Sequence, residues 1–510
     1  MTNLRSPFAL AAVLVTLWSS SPAAQALNLP RIFSDNMVLQ RDIPLKIWGW
    51  ADPGQSVEVS FSTRKADAKA GADGKWIVTL EPLPANAAPG ELSVSAADQR
   101  VSIKNVLVGE VWICSGQSNM EWALRDTDQA RETIAAADFP LIRQFKVPHV
   151  TNAKPQKDLP GEWSVCSPAT APNFTGVGYH FGLQLHKKLN VPIGLINTSW
   201  GGTRIEPWTD PEGFKLSTEL KDISELIANA DAVHRQNQIA RLDELEAWVK
   251  QSRGTLEAGA DLSGFPGGIP QHPLNAGDRP TGIYNAMIAP LVPYGMRGAI
   301  WYQGESNNGE GMLYLEKMKA LIGSWRQLWG QGDFPFLYVQ LAPYRYNRPE
   351  ALPGIWEAQT AALAIPNTGM AVITDIGNVA DIHPRNKTEV GRRLSLWALA
   401  KTYGANVGDY SGPLYRAMQV QGDKGILTFD HAEGLKSLDG KPLTWFTVAG
   451  EDKKFVDARA EIVGNTVVVS GDGVAKPAAV RFGWHETAEP NLANGAGLPA
   501  SPFRTDRWQP

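Results

Sequence analysis

The sequence predicts an α/β protein whose core is a doubly wound, mainly parallel sheet, with sandwich-like all-β regions before and after it. Between residues 106 and 403, nearly continuous apolar runs alternate with segments of helical periodicity, which is typical of a parallel sheet covered on both faces. Residues 27–104 and the chain after 408 instead alternate apolar and polar residues in short runs between turn residues, as antiparallel β domains do. We therefore expect an N-terminal β domain at 27–105, an α/β domain at 106–407 and a C-terminal β domain at 408–510.

The first 26 residues have the pattern of a secretory signal peptide. Arg5 precedes a short apolar run, and Ala24 and Ala26 form a small-x-small cleavage pattern. The run is too short to span a bilayer stably. We expect a signal peptide at 1–26 and a mature protein that is periplasmic or secreted.

Residues 211–280 do not follow the strand–helix alternation of the α/β domain. Residues 214–252 have helical periodicity with many charges, and residues 255–280 are rich in Gly and Pro. This pattern predicts a helical segment and a long loop inserted into the α/β domain.

Composition excludes several classes of partner. The net charge is −4, and the chain has no long Lys/Arg run, so nucleic acid is not an expected partner. No stretch after the signal peptide is apolar enough for a membrane helix. The sequence has neither CxxC nor HExxH, and its eight histidines are scattered, so we expect no metal and no organic cofactor.

Cys114 and Cys166 are equally compatible with a disulfide and with free thiols, since Cys114 ends a very apolar run.

Polar clusters follow several predicted strands, and ligands of open parallel sheets bind beyond the carboxyl ends of the strands. The clusters occupy residues 115–120, 198–204, 303–307 and 381–384. Four such clusters at one edge of a sheet predict a functional site there.

The residue types in these clusters suit acyl transfer. Ser118 lies on a strand-to-helix turn, and His383 is the histidine with a carboxylate, Asp381, two residues away in a Pro-flanked loop. A serine nucleophile needs an adjacent base, and the base needs an orienting acid. The backbone N–H groups of Ser118 and of the Gly201–Gly202 pair, with the Gln303 amide, are candidate donors to an oxyanion.

These motifs together resemble the sialate O-acetylesterase-like group of the SGNH hydrolases, whose nucleophile motif is GQSN. The resemblance covers roughly residues 106–403 and extends weakly into the tail at 491–502. It implies an SGNH-type sheet, Ser118 as nucleophile, His383 and Asp381 as base and acid, and an oxyanion hole that includes Gly201 or Gly202 and Gln303. It also implies a serine esterase that removes O-acetyl groups from an acetylated oligosaccharide, with no cofactor.

Two departures from the family pattern leave alternatives open. Many SGNH relatives space acid and histidine as DxxH, whereas this chain has DxH, so Asp375 is the reserve for Asp381. GxND-type relatives use an asparagine as the oxyanion donor, so Asn307 is the alternative to Gln303. Ser199 is a competing nucleophile, but no base motif accompanies it.

Further residues beside the motifs are candidates for binding the sugar, because aromatic planes stack on sugar rings and Arg binds carboxylates. These candidates are Trp122, Trp200, Arg204, Glu305 and Asn307. For Arg204 the alternative is a structural ion pair with Glu206 or Asp210, and for Glu305 it is a buried structural role.

Sialic acid and acetylated plant hemicellulose oligosaccharides both remain open as substrates. The competing functional class is a non-catalytic glycan-binding protein on an inactive hydrolase fold.

Overall fold

The computed structural model describes residues 26–262 and 264–508. The predicted signal peptide lies almost entirely outside the described residues and stays a prediction.

The N-terminal region consists of strands that form two small antiparallel sets. Strands β2 and β5 pair with each other, and β3 pairs with β4 and β6. Its strands are β1 (Val38–Gln40), β2 (Leu45–Trp50), β3 (Ser56–Phe61), β4 (Arg64–Lys69), β5 (Lys75–Leu80) and β6 (Asn86–Ala96).

A single long strand, β7 (Gln99–Gly116), connects this region to the central sheet. Its first half pairs antiparallel with β6, between Ala96↔Gln99 and Asn86↔Val108. Burial alternates in the first half and is continuous in the second, because the strand passes from a sheet with one solvated face into one covered on both faces. The composition change at Val106 therefore marks a change of surroundings within one strand. The predicted boundary between residues 105 and 106 falls inside β7.

The central sheet has the strand order β13-β12-β11-β7-β10-β8-β9 and is parallel except for β9. After β10 the chain crosses to the other side of β7 to form β11, so β7 lies at the topological switch point, where ligands bind in open α/β sheets. The strands that join β7 are β8 (Phe139–Lys146), β9 (Glu162–Cys166), β10 (Ile193–Ser199), β11 (Gly298–Tyr302), β12 (Phe336–Val339) and β13 (Thr368–Ala371).

Helices cover both faces of this sheet. Trp112 of β7 contacts Phe181 on one face, and Trp301 of β11 contacts Trp325 on the other. The α-helices are α1 (Ser118–Glu121), α2 (Ala130–Ala135), α3 (Gly176–Leu189), α4 (Lys221–Glu257), α5 (Leu313–Trp329), α6 (Ala351–Ala361) and α7 (Lys387–Trp397). The prediction of a mixed α/β fold with a mainly parallel central sheet is confirmed.

Short helices of one or two turns connect these elements. The 3-10 segments are Leu124–Asp126, Ala171–Asn173, Glu206–Trp208, Pro211–Leu216, Thr218–Leu220, Ala289–Leu291, Glu305–Asn307 and Ala362–Ala364. The π-helical segments are Tyr284–Ile288 and Ala398–Thr402.

The segment predicted as an insertion contains the long helix α4. Phe214 and Leu220, just before α4, are buried against Ala320 of α5. Most of α4 beyond this contact is solvent-exposed, and only Ala230 and Ser252 are buried along it. None of the described helices is both long enough and apolar enough to cross a membrane.

The C-terminal region forms a seven-stranded antiparallel sheet of order β14-β15-β19-β18-β17-β20-β22 and a small β16-β21 ribbon. The region is anchored to the α/β part by Glu486, whose carboxylate accepts N–H groups of Tyr346, Asn347 and Arg348. Its strands are β14 (Leu414–Gln421), β15 (Lys424–Asp430), β16 (Lys436–Ser437), β17 (Phe446–Ala449), β18 (Phe455–Val463), β19 (Thr466–Gly471), β20 (Ala479–Phe482), β21 (Leu492–Ala493) and β22 (Phe503–Arg504).

Cys114 and Cys166 are both free and buried. The structure thus resolves the open alternative in favour of two thiols. Burial raises the pKa of Cys166 to about 11 and raises that of Cys114 further, so neither thiol is a reactive nucleophile at neutral pH.

Candidate active site

The nucleophile turn forms where β7 ends at the switch point. Gly116 adopts a φ of +135°, and a Cβ there would lie 2.2 Å from the Tyr302 carbonyl oxygen. Only glycine lets the chain pass this close to the end of β11. The turn leads directly into α1, whose first residue is Ser118, and the first N–H groups of a helix have no partner within it.

Ser118 and His383 form a hydrogen-bonded pair. The Ser118 Oγ lies 2.9 Å from the His383 Nε2, although the two residues are 265 positions apart in the sequence. The distance is within the range required for a base to take a hydroxyl proton.

The surroundings of His383 favour its neutral form. The Trp122 ring stacks on the imidazole, with centroids 4.6 Å apart and planes at 22°. Burial, together with the positive charge of Lys387, lowers the pKa of His383, while the Asp381 carboxylate opposes the shift. A neutral imidazole can accept a proton, so this environment suits a general base.

The two candidate acids have different surroundings. The Asp381 Oδ1 lies 3.6 Å from the His383 Nδ1 and accepts the His383 backbone N–H at 3.0 Å. Its side chain is 48% exposed. Asp375 instead makes a bidentate ion pair with Arg393, at 2.6 and 2.7 Å. Asp381 is therefore the carboxylate beside the imidazole, at a distance slightly longer than a direct hydrogen bond.

Gly201 packs directly against the nucleophile. A Cβ at Gly201 would lie 3.2 Å from the Ser118 Cβ. Its N–H group donates to the Glu121 Oε2 at 2.7 Å, so a carboxylate oxygen occupies this candidate oxyanion donor. Gly202 is exposed and adopts a φ of +73°, which a tight turn requires.

Gln303 and Asn307 lie in a buried polar network. Both side chains are fully buried, and the Gln303 Nε2 donates to the Thr203 carbonyl and to the Asn307 Oδ1, at 3.2 and 2.8 Å. The Tyr314 hydroxyl donates to the Gln303 Oε1. For Gln303 to donate to an oxyanion, one of its two hydrogen bonds would have to break.

The same network holds Arg204, whose guanidinium pairs with Glu206 and Glu310. The Asn307 Nδ2 also donates to these two carboxylates. Arg204 and Asn307, two of the predicted sugar-binding residues, thus have protein partners. The structure adopts the ion-pair alternative for Arg204, with Glu206 as one partner.

Glu305 is also buried, close to the nucleophile turn. Its Oε1 accepts the Asn119 Nδ2 at 2.6 Å, and burial raises its pKa. Its burial and its contact with Asn119 are those expected of the structural alternative stated for it.

Comparisons with known proteins identify the family. The chain matches the family described as "Carbohydrate esterase, sialic acid-specific acetylesterase" over residues 108–242 and 274–397. It belongs to this family. The match contains Ser118, Gly201, Gln303 and His383.

Individual relatives agree with this assignment. The chain is 30% identical to the mouse (Mus musculus) sialate O-acetylesterase over 80% of each chain. It is 29% identical to the rat (Rattus norvegicus) sialate O-acetylesterase over 85% of each chain. The crystal structure of a carbohydrate acetylesterase from Xanthomonas citri is 37% identical, covers 95% of this chain and all of that one, and superposes with a TM-score of 0.80. The protein is a carbohydrate esterase.

The Ser118 hydroxyl of the esterase opens into a cleft of about 430 Å³. Trp122 forms part of its wall, beside the charged residues Glu121, Arg125 and Lys146. Trp200 lies near the same edge, where its ring stacks on His149 with centroids 4.4 Å apart. The cleft thus combines an aromatic face with charges of both signs. No group of three or more His, Cys, Asp or Glu side chains within residues 26–262 and 264–508 could hold a metal ion.

Four residues near the nucleophile could not be assigned a role from the sequence. Glu121 contacts Gly201 and is paired with His149 at 2.7 Å. Asn119 donates to the carbonyl of Ile382, the residue before His383, and accepts a hydrogen bond from Lys387. Asn119 belongs to the GQSN motif, which is the one signal that could have identified it. The others carry no sequence pattern that separates them from surface charges.

Proposed function

We propose that this esterase removes O-acetyl groups from a carbohydrate through a Ser-His-Asp mechanism with an acetyl-enzyme intermediate. The observation that carries the proposal is the 2.9 Å contact between the Ser118 Oγ and the His383 Nε2, at the switch point of the sheet and at the wall of an open cleft. Membership of a family of carbohydrate acetylesterases supports the choice of an acetyl ester.

The reaction begins at the hydroxyl of Ser118. The neutral His383 imidazole takes the proton through Nε2 while the Ser118 Oγ attacks the acetyl carbonyl carbon. The tetrahedral intermediate collapses with loss of the sugar alkoxide, which takes the proton from His383. Water, deprotonated by His383, then attacks the acetyl-serine, and the returned proton restores Ser118 as acetate leaves.

Asp381 supports His383 in two ways. Its carboxylate favours the imidazolium that forms during each step, because an opposite charge 3.6 Å away stabilises the cation. It also accepts the backbone N–H of His383, which fixes the loop. Since Asp381 is half exposed, solvent screens part of this charge.

The Asp381 assignment predicts a ranking of two isosteric variants. Asp381→Asn should lower kcat by roughly 10- to 1,000-fold, less than the ~10⁴-fold of a buried triad acid, because the carboxylate is exposed. Asp375→Asn should leave kcat of the folded enzyme nearly unchanged and lower Tm, since it weakens the buried pair with Arg393. Saturation kinetics and melting curves on both variants check the ranking. The opposite ranking would assign the acid role to Asp375.

The oxyanion is received by backbone donors. Ser118 contributes its own N–H at the start of α1, and Gly201 contributes the N–H that packs beside it. The Glu121 carboxylate accepts the Gly201 N–H and also pairs with His149, so the Gly201 N–H can bind the oxyanion only when Glu121 moves away. Its removal also takes a negative charge away from the developing oxyanion.

Gln303→Ala tests the donor predicted from the motif. Because both Gln303 amide hydrogens are already donated within the buried network, we expect a lower Tm and a kcat within about tenfold of the parent enzyme. A donor to the oxyanion would instead cost about a hundred- to a thousand-fold in kcat. Tm and saturation kinetics measured on one preparation separate the two results, and the second result at unchanged Tm would place Gln303 in the oxyanion hole. Asn307→Ala removes the alternative donor from the same network, and its Tm and kcat are measured for comparison with those of Gln303→Ala.

The substrate is an acetylated oligosaccharide or sugar acid, with Trp122 and Trp200 as its stacking surfaces. Relatives named sialate O-acetylesterase support sialic acid, and acetylated hemicellulose oligosaccharides are the second substrate class. The predicted signal peptide supports action in the periplasm or outside the cell, which fractionation of the expressing cells would test.

Release of acetate tests the function directly. The purified esterase should hydrolyse 4-nitrophenyl acetate and release acetate from O-acetylated sialic acid or from acetylated xylo-oligosaccharides. The ratio of kcat/KM for the two natural substrates assigns the substrate class. Folded protein that releases no acetate from any acetylated carbohydrate would refute the proposal.

A further inference from the structure

A buried chain of polar groups is hydrogen-bonded to the segments that carry Ser118 and His383. The Lys387 side chain is completely buried, and its Nζ donates to the Asn119 Oδ1 at 2.5 Å. The Asn119 Nδ2 donates to the Glu305 Oε1 at 2.6 Å. None of these three side chains has a role in the proton transfers described above.

Asn119 connects the two halves of the site. It directly follows Ser118, and its Nδ2 donates a second hydrogen bond, of 3.1 Å, to the carbonyl oxygen of Ile382. Ile382 directly precedes His383. One side-chain amide therefore ties the nucleophile turn to the loop that carries the base.

The charges on either side of Asn119 determine how its amide is oriented. The oxygen faces the Lys387 ammonium, and the NH₂ group faces the Glu305 carboxylate. A flipped amide would place NH₂ against an ammonium and oxygen against a carboxylate, so both contacts would be repulsive. Only the observed orientation donates to Ile382.

We propose that Asn119 and Lys387 are positioning residues of the esterase: Asn119 holds the His383 loop in register with Ser118, and Lys387 fixes the Asn119 amide in the orientation that does so. The proposal rests on the proposed function, because it assigns Ser118 and His383 to the reaction.

Lys387 is completely buried among residues of the site. The aliphatic part of Lys387 packs against Gly176, the first residue of α3, since a Cβ on Gly176 would lie 3.3 Å from the Lys387 Cβ. The Lys387 Nζ lies 5.0 Å from the centroid of the Tyr302 ring. Burial lowers the pKa of Lys387 to about 7, against the attraction of Glu305 and Asp381. Burial of a lysine ammonium costs folding free energy. The contacts of Lys387 that offset this cost are made with Asn119 and Tyr302, which belong to the site.

Lys387 also acts on His383 through its charge. The charged and titratable groups that face His383 are Ser118, Asp381 from its own loop and Lys387 from α7, while Trp122 covers the ring. Burial and, after it, the positive charge of Lys387 lower the pKa of the imidazole. Removal of the Lys387 charge raises this pKa, so the acidic limb of kcat/KM moves to higher pH.

Asn119→Asp and Lys387→Met test the proposal. Asn119→Asp keeps the side-chain shape and the acceptor for Lys387. It removes both donated hydrogen bonds and places a carboxylate oxygen against Glu305 and against the Ile382 carbonyl. Misplaced catalytic groups typically cost up to about 100-fold, so we expect kcat on 4-nitrophenyl acetate to fall about 10- to 100-fold in each variant. KM should change by less than about threefold, because neither Asn119 nor Lys387 lines the cleft at Ser118. Lys387→Met should also move the acidic limb of the pH profile upward.

The double variant Lys387→Met/Glu305→Gln separates positioning from charge balance. It leaves no uncompensated buried carboxylate, so it should fold even where Lys387→Met does not. A reduced kcat with a shifted acidic limb supports the proposal. Restoration of parental kcat and pH profile overturns it, since Lys387 would then only neutralise Glu305. Lys401→Met, at an exposed position in the helical turn that follows α7, is the matched control and should leave both readouts unchanged.

The results that would overturn the positioning roles differ from those that would refute the proposed function. Folded Asn119→Asp and Lys387→Met enzymes with kcat within about twofold of the parent and an unchanged acidic limb would overturn the positioning roles. An inactive parent enzyme, or a fully active Ser118→Ala variant, would instead refute the function on which they rest.

Discussion

Ser118→Ala is expected to lower turnover of an acetyl ester roughly 10⁴- to 10⁶-fold, as losses of a serine nucleophile do. The hydroxyl is the atom that attacks, and the His383 Nε2 lies 2.9 Å from it. Alanine retains the Cβ that packs on Gly201, so the fold should be preserved. Turnover is measured on 4-nitrophenyl acetate, and melting curves on the same preparation check the fold.

Ser199→Ala is the matched control for this prediction. Ser199 ends the neighbouring strand β10, but its side chain is fully buried and its Oγ donates to the Asn197 Oδ1 at 2.6 Å. Its loss should cost about 1 kcal/mol of stability and little activity. A Ser118→Ala enzyme that keeps a tenth of the parent turnover would exclude Ser118 as nucleophile.

His383→Ala is expected to have an effect of the same order, because residues that act as a unit lose their function together: roughly 10⁴- to 10⁶-fold in kcat. Without the imidazole no group accepts the Ser118 proton. Labelling by an organophosphate, followed by mass spectrometry, should slow in parallel, since it requires the same activated hydroxyl.

His234→Ala is the control for His383→Ala. His234 lies on α4, in the charged helical insertion, and its replacement should leave the labelling rate and kcat unchanged. If His383→Ala were labelled as fast as the parent enzyme, the base would have to be a different residue.

The main features of the fold could be predicted from the sequence. Apolar runs between helical periods identified the strands of the central sheet, because a strand covered on both faces has no polar side to show. Three of these runs lead directly into a polar cluster. Ser118, Gly201 and Gln303 follow β7, β10 and β11, whose ends meet in the structure at Gly116, Ser199 and Tyr302.

Pairwise contacts between distant segments could not be predicted in this way. Glu121 and Lys387 resemble ordinary polar residues of helices, and the motif that contains Asn119 does not show which residues it contacts. These contacts join residues up to 268 positions apart. The saturated hydrogen bonding of Gln303 is equally invisible, since a motif gives a position but not the partners already held there. The predicted boundary at residue 105 was placed at a change in composition. The structure shows that this change reflects the greater burial of the second half of β7, and that no domain boundary interrupts the strand.

The continuity of β7 gives the N-terminal strands a part in aligning the nucleophile. A shift of one residue in strand pairing turns every side chain to the opposite face, and β7 is paired with β6 before it is paired with β10 and β11. The antiparallel contacts near Gln99 therefore help to fix which residue arrives at the switch point, 17 residues further along the same strand at Gly116. A one-residue shift of β7 in this pairing would bring a neighbouring residue to the position of Ser118.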